Sequence, residues 1–233
     1  MVRVNVRRWG SGDRHAVLIH GLGNSSESWW EVGPELARRG FNVLAVDLPG
    51  HGASEHLDEY SVEALVDAVV GAVPGEPALA IGHSLGGLVL AHAAPALRPG
   101  LAVYEDPAWT ITADRAVVDA FRAQKNWTTA DIDAAYPKWS EGSKARKLVA
   151  LGQWDERILD GLSSFTPASV TAPVVRSIVV LADPSYLIPP ARATELRAAG
   201  FEVRSVRYAG HVVHFDDLPG FLEALDLAPV HPG

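Results

Sequence analysis

Short apolar runs alternate along this chain with longer stretches of helical period. Val2, Val4 and Val6 occupy every second position, the pattern of a strand with one covered face. Ala16–Ile19, Phe41–Val46, Ala78–Ile81, Leu101–Tyr104 and Ser177–Leu181 are nearly continuous apolar runs, as expected of strands covered on both faces. Between them the spacing predicts helices. Trp30–Arg39 is stopped by Gly40, and Ser61–Val73 places Val62, Leu65, Val66 and Val69 on one face with Ser61 as its cap. A third helix covers Leu85 to about Leu97, and a fourth, Pro190–Ala199, ends at Gly200. Glu202–Tyr208 is a last strand and Leu218–Leu225 a closing helix. Strands alternating with helices predict an α/β fold, a mostly parallel sheet with helices on both faces.

The alternation breaks once. From about Pro107 to Pro173 no strong strand pattern occurs, and Trp109, Trp127, Trp139 and Trp154 fall among helical stretches. The expected organisation is therefore a core of residues 1–106 and 174–233 with a helical lid, 107–173, inserted over one edge of the sheet.

Composition narrows the chemistry. The 233 residues contain no cysteine, which rules out a thiol nucleophile, a disulfide framework and thiolate metal ligation. The formal net charge is −8 and the basic residues are scattered, so a nucleic-acid partner is not expected. The N-terminal stretch lacks the apolar run of a signal peptide, and no segment has the length of a membrane span. A cytoplasmic protein acting on a small molecule, without metal or cofactor, is the expectation.

The candidate chemistry sits where strands end. Gly82-His83-Ser84-Leu85-Gly86 is a G-x-S-x-G pattern between a strand and a helix, the context in which a serine stands out from a tight turn as a nucleophile. The helix behind it aims free N–H groups at the reacting oxygen, and the Leu85 N–H is one expected oxyanion donor. His20-Gly21-Leu22-Gly23 follows the first buried strand, and the Leu22 N–H is the expected second donor; His20 reads as a structural histidine. A serine needs a base. His211, after Gly210 and close to the C-terminus, is best placed among nine histidines. His214 is its nearest rival, and His15, His56, His92 and His231 read as surface or helix-face residues.

These motifs, together with Asp47-Leu48-Pro49-Gly50-His51-Gly52-Ala53-Ser54 and the tail from Gly210-His211 through Asp217-Leu218-Pro219 to Phe221-Leu222, resemble the α/β-hydrolase superfamily along nearly the whole chain. The resemblance implies a Ser-His-acid triad and disfavours epoxide hydrolase or dehalogenase chemistry, which uses aspartate where this chain has Ser84. It leaves the acid open. The family's usual acid, four residues before the proline of a Val-Pro or Ile-Pro pair, would fall on Ser185, which is no carboxylate; Asp183 lies nearby. A subset that includes zearalenone lactonases places the acid after the strand following the nucleophile helix, which points to Glu105 with Asp106 beside it. Glu105 is the preferred acid, with Asp183 and Asp106 as alternatives. Trp109, Trp139 and Trp154 are candidate pocket walls, and Trp29 or Trp30 could also face the pocket. The function implied is hydrolysis of a small to medium, apolar or aromatic ester or lactone. A carbon–carbon bond hydrolase acting on diketones and a triad-retaining small-molecule receptor of the same fold are the alternatives.

Overall fold

The computed structural model describes residues 2–111 and 114–227, so the expectation for His231 lies outside the described residues. Seven strands form one sheet: β1 (Val6–Trp9), β2 (Arg14–Ile19), β3 (Phe41–Val46), β4 (Leu79–His83), β5 (Ala102–Glu105), β6 (Ser177–Leu181) and β7 (Glu202–Ser205). Their spatial order is β1-β3-β2-β4-β5-β6-β7, and β1 alone runs antiparallel to its neighbour. The α/β reading of the sequence is thus the observed architecture.

Strand alternation divides the core in two. On β2, Val17 and Ile19 face α2 (Val62–Ala72) and α3 (Leu85–Leu97), where they pack with Leu65, Val69, Leu88 and Val89. Ala16 and Leu18 face the other way, toward Leu36 of α1 (Val32–Arg38) and Phe221 of α10 (Leu218–Ala224). The cap on α2 is as expected, the Ser61 side chain accepting from the Ala64 N–H at 3.2 Å.

Several boundaries differ from expectation. The first strand is Val6–Trp9 rather than Val2–Val6, because pairing with β3 begins at Val6↔Val46. Ahead of it Asn5 is claimed by a loop, its N–H donating to Ser54 Oγ and its side chain to Asp47. The helix expected over Trp30–Arg39 begins later, as α1, and is preceded by a 3-10 turn, Ser26–Trp29. The last strand stops at Ser205, and the chain then turns, with the Ala209 N–H donating to the Val206 carbonyl at 3.2 Å and Tyr208 at a positive φ of 61°.

Between β5 and β6 lie α4 (Arg115–Gln124), α5 (Thr129–Ala135), α6 (Glu141–Gln153), α7 (Ile158–Gly161) and a 3-10 turn, Leu162–Ser164. Asp114 caps α4, Thr128 and Asp131 form a capping box on α5, and Ser140 caps α6. Ile132, Leu151, Ile158 and Phe165 of this region share one apolar core with the α2–α3 face of the sheet. After β6 come α8 (Pro190–Ala198), then β7, the single turn α9 (Val213–Asp216) and α10. No helix among the described residues is long and apolar enough to cross a membrane.

Candidate active site

Ser84 occupies the single position between β4 and α3, with φ 51° and ψ −115°. A non-glycine residue in that region is strained by on the order of 1–3 kcal/mol, which the surroundings must hold. They do so through the backbone. The Ser84 N–H donates to the Glu105 carbonyl at 3.0 Å, and its own carbonyl accepts from Gly87, Leu88 and Ala108. The flanking glycines are required by space. A Cβ on Gly82 would run into the Gly86 carbonyl, and one on Gly86 into the carbonyl of Ile19.

His211 follows β7 and is brought over the carboxyl end of β5. Its Nδ1 donates to Asp106 Oδ2 at 2.7 Å. The carboxylate beside His211 is therefore Asp106, and the preferred assignment of Glu105 to that place is corrected by the geometry. Glu105 is the last residue of β5 and turns to His214, while Asp106, just past the strand, turns to His211. Asp106 is one residue past the end of β5, with a positive φ of 36° that turns its carboxylate onto the sheet's carboxyl edge. Its other oxygen accepts the Ala182 N–H at 3.4 Å. Asp183 meets neither histidine. It follows β6, one strand further from β4, its N–H donates to the Ala209 carbonyl, and it is exposed.

Glu105 has a different histidine. It accepts both the Nδ1–H of His214, at 2.8 Å to each oxygen, and the His214 main-chain N–H at 3.0 Å. Both side chains are sealed, with 0 % and 1 % exposure. His214 Nε2 donates to the Ser28 carbonyl at 3.2 Å, and Trp29 stacks on the ring at 4.4 Å. Burial alone would raise the Glu105 carboxyl, but the neighbouring His214 and the hydrogen bonds from it hold Glu105 below the usual glutamate value. His83, next to the serine, is also buried and is pushed down to about 3, chiefly by desolvation. Neutral, it donates from Nε2 to the His211 carbonyl at 2.9 Å and so ties the nucleophile strand to the loop carrying His211.

The turn after β2 packs directly on Ser84: a Cβ on Gly21 would approach the Ser84 Cβ to 3.0 Å. His20 is structural, as expected. Its Nδ1 donates to the Gly21 carbonyl and its Nε2 accepts the Leu48 N–H at 3.0 Å. His51 accepts the Gly23 N–H at 3.2 Å, and desolvation lowers it to about 3. Asp47 organises the same loops by accepting from Asn5, Ser26 and Ala53. Among the surface candidates, His56 reaches Asp155 at 3.2 Å and His92 donates to the Thr166 carbonyl.

Ser84, His211, Asp106, Leu22 and Leu85 line one cavity of about 430 Å³. Its remaining walls are mostly apolar and come from the inserted region and the β6–α8 loop, among them Ile111, Val117, Phe121, Leu162 and Leu187. The tryptophans expected there are elsewhere. Trp109 is buried edge-on against Tyr104, and Trp154 is buried beneath Lys125. Trp139 stacks on Tyr136 and lines a second recess of about 320 Å³ on the far side of His211, together with Asp183. Trp29 and Trp30 do not reach the cavity; Trp30 lies under the Arg146 guanidinium. The large rings were drawn into the core because they bury the most area. A sequence signal for the true wall existed. Val117 and Phe121 form an i, i+4 apolar pair on α4, a helix with no fully buried residue.

A family model described as the alpha/beta hydrolase family matches residues 16–224. A pimeloyl-acyl-carrier-protein methyl ester esterase from Edwardsiella ictaluri is 42% identical over 85 residues, 36% of this chain and 32% of that protein. The curated relatives are thus matched over about a third of their length. Among solved structures, a deformylase from Pseudomonas putida superposes with a TM-score of 0.81 at 22% identity, covering 97% of this chain and 96% of that one. The enol-lactonase from Burkholderia xenovorans superposes with a TM-score of 0.72 at 21% identity, over 96% and 95% of the two chains. At such identities the superpositions speak for the fold.

Proposed function

The chain belongs to the alpha/beta hydrolase family, and from that premise we propose that it is a serine hydrolase cleaving small to medium esters or lactones with an apolar acyl part. The observation that carries this reading is that Ser84 and His211 line one mostly apolar cavity, with Asp106 at 2.7 Å from Nδ1 of His211.

The chemistry follows from that arrangement. Asp106 keeps the proton of His211 on Nδ1 and leaves the Nε2 lone pair to take the proton of the Ser84 hydroxyl. Ser84 Oγ attacks the carbonyl carbon, and the oxygen that becomes negative is received by the N–H groups of Leu22 and Leu85, two residues that line the cavity. His211 then gives its proton to the departing alcohol oxygen. Water, deprotonated by the same imidazole, attacks the acyl-serine; the acid leaves and Ser84 is restored. In a lactone both products are one hydroxy acid.

Reading the region 107–173 as a lid is supported by Ile111, Val117, Phe121 and Leu162, which line the same cavity as Ser84. The apolar lining favours an aliphatic chain or a ring as the acyl group. The esterase and enol-lactonase names among the similar proteins accord with this class.

The test is turnover of p-nitrophenyl esters of graded acyl length, with labelling by a fluorophosphonate. Wild type should hydrolyse them and be labelled at residue 84, and Ser84→Ala should do neither. Equal rates for the two proteins would remove the reading.

A further inference from the structure

The buried face of α6 carries Ser143, Lys147, Ala150 and Leu151, the spacing of an inward stripe, with a lysine in its middle. Lysine is almost never buried without a partner carboxylate. Lys144, one turn of the chain earlier, has two, Asp133 and Glu141. Lys147 is 5 % exposed, and among the described residues its Nζ forms no ion pair. Burial pulls the amine down to about 7. Its hydrogen bond goes to one atom, the carbonyl oxygen of Gly23, at 3.0 Å.

That carbonyl belongs to the turn carrying the Leu22 amide. The inner side of the turn is already fastened: Asn24 N–H and His20 Nδ1 donate to the Gly21 carbonyl, and the Gly23 N–H goes to His51. Gly23 itself takes a φ of 67°, so the orientation of its peptide plane depends on what holds it. Among the described residues, Lys147 is the hydrogen-bond donor to the outer side, and it comes from the inserted region rather than from the sheet.

We propose that Lys147 is a positioning residue: by holding the Gly23 carbonyl it fixes the turn that aims the Leu22 N–H into the cavity, and so makes the oxyanion site depend on the seating of α6. The inference rests on the esterase reading for its catalytic consequence, but not for its structural one. Lys147→Met would remove the cost of burying the amine but leave the carbonyl of the buried Gly23 without its donor, so the two effects on stability oppose each other. What the amine supplies that an apolar group cannot is geometry at the turn.

The decisive comparison is wild type against Lys147→Met, with Lys147→Gln as a second variant that keeps an N–H donor on a shorter arm. Lys147→Met should melt within a few degrees of wild type, since relief of the buried amine and loss of the Gly23 hydrogen bond offset each other. Its kcat on a p-nitrophenyl ester should fall about 10- to 100-fold with KM within about twofold, a share of the 10²–10³ lost when a whole oxyanion donor is removed. Affinity for phenylboronic acid, which forms a tetrahedral adduct on the serine, should fall in parallel with kcat/KM. Lys147→Gln should fall between wild type and Lys147→Met. Independently of any substrate, amide exchange in residues 22–25 should quicken in Lys147→Met. Unchanged exchange overturns the inference whether or not the protein hydrolyses esters. A kcat loss that tracks a lowered melting temperature, with boronate affinity retained, overturns it as well. Failure of wild type to hydrolyse any ester removes the esterase reading and leaves the exchange experiment to decide the positioning role.

Discussion

Two histidine–carboxylate pairs stand side by side at the end of β5, built from adjacent acids and from histidines three residues apart. Asp106–His211 opens on the cavity, with the imidazole 42 % exposed. Glu105–His214 is closed to water and saturated: its carboxylate accepts the main-chain N–H of His214 and an Nδ1–H shared between both oxygens, and the other ring nitrogen donates to the Ser28 carbonyl. The same two residue types thus serve opposite ends. A pair with one nitrogen left free can move a proton. A pair with every polar atom engaged can only hold chain segments together, here β5, the start of α9 and the 3-10 turn that follows the Leu22 loop.

The comparison breaks most sharply at Asp106. Asp106→Asn should lower kcat on a p-nitrophenyl ester by about 10⁴, the scale seen when a serine protease loses its triad acid, because the amide favours the wrong tautomer of His211. The urea midpoint should move little, since the pair is open on one side. Near-normal turnover in Asp106→Asn would mean that the open pair is not the working one.

Glu105→Gln should do the reverse. Removing one charge from a buried pair costs about 3–5 kcal/mol, so urea unfolding should show a loss of that size. The pH dependence has a definite sign. The Glu105 carboxyl is held below its ordinary 4.5 in the folded protein. Its stabilisation is therefore full above that ordinary value and disappears as pH falls through the lowered folded value. The gap between wild type and Glu105→Gln should be widest near neutrality and close in strong acid. A constant gap across that range would place the loss in packing rather than in charge.

How much of this was legible beforehand follows from the same two pairs. The strand runs and the serine turn are local patterns, and both the sheet and the place of Ser84 could be read from them. That Ser84 and His211 line one cavity accords with the chain order expected within this family. The choice between Glu105 and Asp106 is not local. It depends on where β5 stops and on the positive φ of Asp106, neither of which leaves a trace in composition. His214 was recognised only as a rival, because its partner became visible once α9, a single turn too short to show a period, had been placed. Lys147 breaks an apolar stripe in plain view, but only the fold brings Gly23 beneath it.

The smallest expected effect concerns the rim of the open pair. Tyr186 is 89 % exposed, yet it borders both the main cavity and the second recess beyond His211. A side chain that buries so little contributes little to folding, and Tyr186→Ala should leave the urea midpoint within about 0.5 kcal/mol of wild type. An aromatic ring held at a cavity mouth has area to offer an incoming apolar group, and contacts of that kind are worth about 1 kcal/mol. The variant should therefore raise KM for an aryl ester about fivefold while kcat is kept, because the ring lies outside the path of the proton. Equal KM values would assign Tyr186 to solvent alone. A fall in kcat would mean that the rim helps to set His211, and the division between an open working pair and a closed structural one would have to be redrawn at its edge.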